Sequence, residues 1–351
     1  LKSVLLTGGQ KKKHRETVLD EISSGKAQVV VGTHALIQES VDFKSLGFTV
    51  IDEQHKFGVM QRAKLKAKGN NPDVLVMTAT PIPRTLSLTV YGDLDVSVID
   101  ELPKNRKNIK TALRGESDRL KVYKFIRDEI KKGRQAYIVY PIIEESEKLD
   151  LKSAVKHFEI IKEEIFPDLR IGLVHGRLSW YEIDETIEAF KDKKLDILVS
   201  TTVIEVGIDI PNATIMLIEE AQRFGLSQLH QLRGRVGRGA EQSYCILMAE
   251  SSGEISAERL KIMTETNDGF KISETDLKLR GPGEFFGTRQ SGALKFTAAD
   301  LVKDMPLIEK ARDSAFKVVN EDPQLRSHEN SNIREHFLTN YRESMELIKI
   351  A

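Results

Sequence analysis

Short apolar runs alternate with longer amphipathic stretches along the first 250 residues of the chain. The apolar runs are rich in β-branched residues and continuously hydrophobic, which is typical of strands buried on both faces of a parallel sheet. The stretches between them have the hydrophobic spacing of helices. The pattern predicts an α/β fold of doubly wound parallel sheets, and it places strands at 29–31, 48–51, 74–77, 136–140, 197–200 and 214–218.

An internal repeat divides this α/β part into two lobes. Residues 28–33 resemble residues 196–201 at a shift of 168, and the same shift carries Asp52 onto Glu220. Two unrelated βα units can share such a pattern by coincidence, but here the shift stays constant over about forty residues. We interpret the two lobes as a duplication, and such a repeat fixes the architecture.

The domain boundaries follow from changes in the pattern. The polar, proline-containing segment 101–108 is typical of a linker. After residue 250 the pattern changes to helices and a glycine-rich segment at 280–287. We predict a first lobe at 1–101, a second lobe at 102–250, and an appended, mainly helical region at 251–351.

Composition limits the classes of function. No run of about 18 apolar residues exists, so the sequence predicts no membrane span. The single cysteine, Cys245, cannot form an internal disulfide, which indicates a reducing, cytoplasmic location. Lys+Arg and Asp+Glu balance at 53 each, so affinity for nucleic acid has to come from local patches. The chain starts at Leu1 in a strand-like run, and we expect it to be part of a longer protein.

Two acids directly follow the strand predicted at 48–51. Asp52 and Glu53 are followed by Gln54 and His55. Ligands of open α/β sheets bind beyond the carboxyl ends of the strands. One carboxylate can hold Mg²⁺, usually through water, while its neighbour orients or deprotonates the attacking water of a nucleoside triphosphate site. A solvated acidic turn is the alternative interpretation.

Two hydroxyls follow the strand predicted at 74–77. Thr78 and Thr80 lie in a segment that also contains two prolines. The hydroxyls could sense a phosphate or bind the neighbouring acids, and a plain turn explains them equally well.

An arginine-rich segment at 221–240 contains no acid and carries Arg223, Arg233, Arg235 and Arg238. Arginines three apart share one face of a helix, and the neighbouring glycines allow a phosphate to approach closely. Guanidinium groups neutralise charge on a transferred phosphoryl group. We predict a phosphate site here rather than a solvated basic helix.

The remaining candidate sites are weaker. The histidines show no metal-ligand spacing, and one cysteine cannot support a zinc site. Glu219 and Glu220 occupy the duplicated acidic position without an aspartate–glutamate pair, so we interpret them as the inactive copy.

Several segments resemble known motifs in order and spacing. Four resemble motifs II, III, V and VI of superfamily-two helicases, namely residues 52–55, 78–80, 201–209 and 231–238. Three others resemble the RecG family of bacterial branched-DNA translocases, namely residues 32–38, 91–96 and 280–287. The resemblance covers nearly the whole chain, and only the last forty residues match loosely.

The resemblance implies two RecA-like lobes that bind ATP between them, with the first lobe incomplete. Asp52 would anchor Mg²⁺ and Glu53 would position the attacking water. Arg235 and Arg238 would act as arginine fingers. The residues implied to couple the nucleotide state to DNA are Gln54, His55, Thr78, Thr80 and Gln231.

The resemblance also implies a DNA-binding surface and a lever. The residues that would contact DNA phosphates are Arg177, Thr201, Thr202 and Gly207. Glu205 and Asp209 would support the motif V loop. The tail resembles a translocation motif in which a helical hairpin and loop convert lobe closure into DNA movement. Its hydrogen-bonding residues would be Arg259, Arg280 and Gln290.

The implied function is the motor portion of an ATP-dependent DNA helicase. It would use ATP and Mg²⁺, translocate on double-stranded DNA, remodel stalled replication forks and branch-migrate Holliday junctions. Branched DNA is the implied partner, with single-stranded-DNA-binding protein as a second candidate and a monomer as the expected state. No phosphate loop of the form G-x-x-x-x-G-K-[ST] occurs. We therefore expect the chain alone to hydrolyse ATP poorly.

Two alternatives stay open. A transcription-repair coupling translocase shares the tail motif, although it usually has a second glutamate where Gln54 stands. A non-catalytic DNA-binding remnant of a helicase agrees with the missing phosphate loop, but such a scaffold needs neither the acidic pair nor the arginine pair.

Overall fold

The computed structural model describes eleven segments of the chain, at residues 1–53, 64–65, 67–79, 96–99, 101, 103, 106–141, 155–201, 209–250, 254–280 and 304–340. The chain divides into two compact units. One comprises residues 1–79 and 311–351, and the other comprises residues 80–310.

The first unit contains two small parallel sheets in its described part. Strands β1 (Ser3–Leu6) and β2 (Val29–Gly32) form one sheet, and β3 (Phe48–Ile51) and β4 (Asp73–Val76) form the other. Helix α1 (Lys12–Ser23) connects β1 to β2. Its buried residues pack with Leu6 and with the turn that follows β2.

A six-stranded, entirely parallel sheet forms the centre of the second unit. Its strands in chain order are β5 (Lys110–Arg114), β6 (Gln135–Val139), β7 (Ile171–Val174), β8 (Ile197–Ser200), β9 (Ala213–Ile218) and β10 (Tyr244–Met248). In space the order is β5-β10-β9-β6-β8-β7. The helices among them are α2 (Arg119–Lys131), α3 (Trp180–Lys191) and α4 (Leu226–Arg233).

Both faces of this sheet are covered. On β6, Tyr137 and Val139 join one buried cluster, to which α3 and α4 contribute. Ala136 and Ile138 point to the opposite face and join a second cluster with α2. The alternation follows from the two-residue period of a strand. The predicted doubly wound α/β class is therefore confirmed.

Helices follow the second lobe, as the sequence predicts. They are α5 (Glu254–Glu265), α6 (Gly269–Arg280), α7 (Met305–Glu321) and α8 (Ser331–Asn340). Leu260 and Met263 of α5 and Ile272 of α6 belong to the same cluster as α4. The first two tail helices are therefore part of the hydrophobic core of lobe 2. Cys245 is fully buried in this cluster.

The internal repeat is confirmed in the secondary structure. Adding 168 to the bounds of β1, α1 and β2 gives the bounds of β7, α3 and β8 at both ends of each element. The strand register is also the same, since Ser3 lies opposite Val29 and Ile171 lies opposite Ile197. The two βαβ units therefore have equivalent backbones.

No helix among the described residues is long and apolar enough to cross a membrane.

Two leucines of the second unit allow a matched test of this packing. Leu198 of β8 is fully buried, whereas Leu120 of α2 is 82% exposed. Leu198→Ala should lower the free energy of unfolding by about 2–5 kcal/mol, because it removes buried methyl groups and leaves a cavity. Leu120→Ala should change it by less than about 0.5 kcal/mol. Urea unfolding of both variants measures the difference, and equal effects would contradict the assigned core.

Candidate functional site

The acidic pair lies at the carboxyl end of β3. In the parallel pairing of β3 with β4, Ile51 is opposite Val76, and the main-chain N–H of Met77 donates to the Ile51 carbonyl at 2.8 Å. Asp52 and Thr78 therefore follow adjacent strands at the same sheet edge, and both side chains are exposed. This is the edge at which ligands of α/β sheets bind.

The backbone at this corner is unusual. Glu53 has a left-handed conformation with φ of 52°, which is uncommon for a residue with a side chain. Its main-chain N–H donates to Asp52 Oδ1 at 2.8 Å. Strained backbone of this kind persists where the surrounding structure determines it, and it concentrates at functional sites.

At the equivalent corner of lobe 2, the acid that directly follows the strand is bound by an arginine. Glu219 follows β9, is buried, and accepts two bonds from Arg119, Nη1 to Oε1 at 2.7 Å and Nη2 to Oε2 at 3.1 Å. Glu220 has a left-handed φ of 46°, as Glu53 does. Counted from the ends of β3 and β9, Asp52 corresponds to Glu219 and Glu53 corresponds to Glu220. The constant shift of 168 residues, which places Asp52 on Glu220, is therefore wrong by one residue here.

The contact with Arg119 occupies the carboxylate of Glu219. Both oxygens of Glu219 are held by one guanidinium, in the bidentate geometry that carboxylates and arginines prefer. Sequence reasoning missed Arg119, because it lies about a hundred residues away in the chain and only the fold places it here.

The arginine-rich segment does not form one helical face. Helix α4 ends at Arg233, and the chain turns through Gly237, whose φ is 77°. Arg235 and Arg238 therefore lie in the loop after the helix. The expected common face is wrong, because the helix ends before these two arginines.

The arginines also have partners beyond the segment. Arg223 pairs with Glu220 at 2.9 Å, and Arg238 Nη1 lies 3.5 Å from Asp209 Oδ1. The sequence correctly shows no acid between 221 and 240, but the partner acids flank that window. The expectation of four uncompensated arginines is therefore wrong for these two.

Arg235 and Arg238 differ in accessibility. Arg235 is 8% exposed, and the side chain of Arg238 is 29% exposed. Arg238 Nε also donates to the Gly234 carbonyl at 3.3 Å. Burial raises the pKa of the nearby Tyr137 hydroxyl, and the positive charges of both arginines oppose that rise. The loop thus carries two guanidinium groups, of which Arg238 is the more accessible.

Arg233 is a buried structural residue. It is 2% exposed and donates to the carbonyls of Met263 and Thr266 at 2.9 and 2.8 Å. Its Nη2 lies 3.0 Å from Nδ1 of His230. An arginine only donates, so Nδ1 must be the acceptor and the imidazole must be neutral.

The implied DNA contacts have mixed accessibility. Arg177 is exposed in the loop after β7, and its main-chain N–H donates to His175 Nδ1 at 3.3 Å. Thr201 directly follows β8 and is fully buried. Its Oγ1 has no hydrogen-bond partner among the described residues. Asp209 is exposed and Gln231 is half-buried on α4.

Two of the three residues implied for the lever, Arg259 and Arg280, lie within the described residues. Arg259 of α5 donates through Nη2 to the carbonyls of Gln222 and Phe224 at 3.0 and 2.9 Å. Arg280 is the last residue of α6. The candidate residues that lie outside the described residues are Gln54, His55, Thr80, Thr202, Glu205, Gly207 and Gln290.

A linker residue also contacts this region. Arg106 Nε donates to the Gly237 carbonyl at 2.8 Å. Sequence reasoning missed the contact, since nothing distinguishes this arginine from other basic residues of a polar linker.

Three family models match the chain. Residues 1–89 match the DEAD/DEAH box helicase model, residues 119–240 match the helicase conserved C-terminal domain, and residues 266–347 match the C-terminal part of domain 3 of ATP-dependent DNA helicase RecG.

Two curated relatives with the same name are similar to most of this chain. The chain is 55% identical over 330 residues to the ATP-dependent DNA helicase RecG of Synechocystis sp., covering 94% of this chain and 40% of the relative. It is 51% identical over 334 residues to the protein of that name from Bacillus subtilis, covering 95% of this chain and 49% of the relative. The chain thus spans less than half the length of these two relatives.

Two solved structures are similar to this chain. A structure of RecG bound to a three-way DNA junction matches with a TM-score of 0.66 and 48% identity, over 88% of this chain and 40% of that one. The helicase Lhr of Mycobacterium smegmatis, bound to single-stranded DNA and AMP-PNP, shares the fold at 17% identity, with a TM-score of 0.56 over 76% of this chain and 37% of that one.

His230 gives a test of the buried arginine contact. Burial lowers the pKa of His230 from 6.5 to about 4, and the charge of Arg233 adds to the effect. Protonation therefore favours the unfolded state, where the pKa is ordinary. Stability should be unaffected by His230 above pH 6.5 and should fall by on the order of 3 kcal/mol as the pH drops to about 4.

The control is His230→Gln, whose amide oxygen accepts from Arg233 without titrating. Urea unfolding of both proteins at several pH values isolates the histidine, because all other groups are shared. Parallel pH profiles for the two proteins would contradict a neutral, buried His230.

Proposed function

The chain belongs to the RecG helicase family, and we propose from this premise that it is the motor portion of an ATP-dependent DNA helicase. In the complete protein it would translocate on double-stranded DNA, remodel stalled replication forks and branch-migrate Holliday junctions. The observation that carries the proposal is the acidic corner. Asp52 is exposed at the ligand-binding edge of the sheet, whereas Glu219, which follows the equivalent strand of lobe 2, is bound by Arg119.

Asp52 is the proposed magnesium residue. Its carboxylate is exposed and can reach a hydrated cation. One carboxylate suits Mg²⁺, which proteins usually hold with one or two carboxylates together with water and substrate phosphates. When bound, the ion would neutralise charge on the ATP phosphates.

Glu53 is the proposed residue that positions the attacking water. It directly follows Asp52 and has a left-handed backbone, which Asp52 does not. Gln54 and His55 would complete this catalytic set. With Thr78 and Thr80 at the adjacent strand end and Gln231 on α4, they would couple the nucleotide state to DNA.

Arg235 and Arg238 are the proposed residues for the transferred phosphoryl group. The contact of Arg238 with Asp209 is long at 3.5 Å, and both side chains are partly exposed. Exposed ion pairs of this kind contribute little stability, so Arg238 can leave Asp209 at small cost. Glu205 and Asp209 would in addition support the motif V loop.

The DNA contacts and the lever complete the proposal. Arg177, Thr201, Thr202 and Gly207 would bind the phosphate backbone. The exposed side chain of Arg177 supports its role. Arg259, Arg280 and Gln290 would transmit movement through the tail.

Branched DNA is the proposed substrate. Its support is a RecG structure that contains a three-way DNA junction. A monomeric state, a cytoplasmic location and single-stranded-DNA-binding protein as a partner stay predictions from the resemblance.

The alternatives have less support. A transcription-repair coupling translocase does not account for the RecG-specific match at 266–347 or for eight relatives that carry the RecG name. A non-catalytic remnant does not account for an exposed Asp52 at the ligand-binding edge of the sheet, because a scaffold needs no acid there.

Glu53→Gln tests the proposed role in hydrolysis. In the complete protein this change should abolish ATP hydrolysis and leave ATP binding nearly intact, because size is kept and the base is removed. The matched control is Glu220→Gln, which makes the same change at the left-handed corner of lobe 2. Turnover of the Glu53 variant within a few-fold of wild type on DNA would contradict the role.

Arg238→Ala tests the arginine finger. In the complete protein it should slow hydrolysis at saturating ATP and DNA by on the order of 10³-fold or more. Arg134→Ala is the control, because the side chain of Arg134 is similarly exposed at 25% and pairs with Glu241 at 2.8 Å. Arg134 directly precedes β6 and lies outside the arginine-rich segment. An unchanged kcat in the Arg238 variant would exclude a contact with the phosphoryl group.

A further inference from the structure

One buried guanidinium joins the arginine-rich loop to the helical tail. Arg233 is the last residue of α4, and Arg235 and Arg238 follow within five residues. Its Nη1 donates to Met263 and Thr266, at the carboxyl end of α5. The contact therefore connects the element that would sense ATP to the first tail helix.

The hydrogen bonds that hold the Arg233 guanidinium involve no carboxylate. Its acceptors are two carbonyl oxygens and a neutral imidazole nitrogen. Carbonyls in the last turn of a helix lack intrahelical partners and carry the negative end of the helix dipole. Burial lowers the pKa of Arg233. Breaking these bonds would leave a buried cation unsatisfied, which is costly, so the contact resists separation.

A second arginine makes the reciprocal contact. Arg259 reaches from α5 to the carbonyls of Gln222 and Phe224, just before α4 begins. Helix α4 thus donates two hydrogen bonds to main-chain carbonyls at the carboxyl end of α5. Helix α5 donates two hydrogen bonds to main-chain carbonyls just before the start of α4. Leu229 of α4 and Met263 of α5 are buried in one apolar cluster. Apolar packing alone can slide, whereas four directed bonds fix the register of the two helices.

We propose that Arg233 is a positioning residue that makes α4 and α5 move as one body, so that displacement of the loop 234–238 at the nucleotide is passed to α5 and α6. The inference rests on the proposed function. Arg233 itself would touch neither ATP nor DNA. A lysine cannot replace it, because a single ammonium group lacks the planar fork that serves two carbonyls and an imidazole together.

The test compares two variants of the complete protein with wild type. Arg233→Lys keeps the charge, and Arg233→Met keeps much of the volume. The control pair is Arg127→Lys and Arg127→Met. Arg127 bonds Asp168 and the Ile165 carbonyl on the other face of the sheet. ATP turnover and branch migration are measured on one synthetic four-way junction, and circular dichroism checks folding.

The Arg233 variants should keep the KM for ATP and the DNA-stimulated turnover within about threefold of wild type, while branch migration per ATP falls by about tenfold. In wild type and in the Arg127 variants, AMP-PNP should change hydrogen exchange in residues 259–280. In the Arg233 variants this change should be lost although AMP-PNP still binds.

The other outcomes overturn the proposal. Proportional loss of turnover and migration, loss of neither, or failure of the lysine variant to fold would each mean that Arg233 serves stability alone. Wild-type protein inactive on both ATP and junction DNA would instead refute the proposed function, and this distinguishes the two failures.

Discussion

The parallel hydrogen-bond ladder is the constraint on which the rest of this molecule depends. Parallel strands bring all their carboxyl ends to one edge, so residues distant in the chain become neighbours there. In the first unit this places Asp52 beside Thr78. In the second it brings the ends of β7, β8 and β9 together, and with them Arg177, Thr201 and Glu219. The order of the strands in each sheet therefore decides which side chains lie next to one another at these edges.

The duplication shows how one backbone can carry two kinds of corner. Glu53 and Glu220 share a left-handed conformation after equivalent strands, so the backbone geometry has been kept. The chemistry differs because Arg119 binds Glu219 in lobe 2. Asp52 stays exposed in lobe 1. A single side chain from α2 therefore separates a corner that can meet a cation from one that supports the fold.

Sequence patterns predicted the strands with continuous β-branched runs and missed β5, β7 and β10. Strand β5 is at a sheet edge and combines three polar residues with two apolar ones, β7 contains Gly172, and β10 contains cysteine and methionine. The sequence identified the acids and arginines as candidate site residues. It did not predict which acid pairs with which arginine, because Glu220 and Asp209 lie outside the arginine-rich segment 221–240. The contacts of Arg233 leave no sequence signal, since its helix acceptors are main-chain carbonyls, which every residue has.

Burial of the single cysteine has a practical consequence for studying movement. Cys245 is fully enclosed in the lobe 2 core, and burial raises the pKa of its thiol to about 12. The thiolate is the form that reacts with maleimides, and at neutral pH it is essentially absent. A cysteine introduced on the exposed surface of α6 would therefore be the sole labelling position in this chain. A fluorophore could be attached there without first removing the natural thiol.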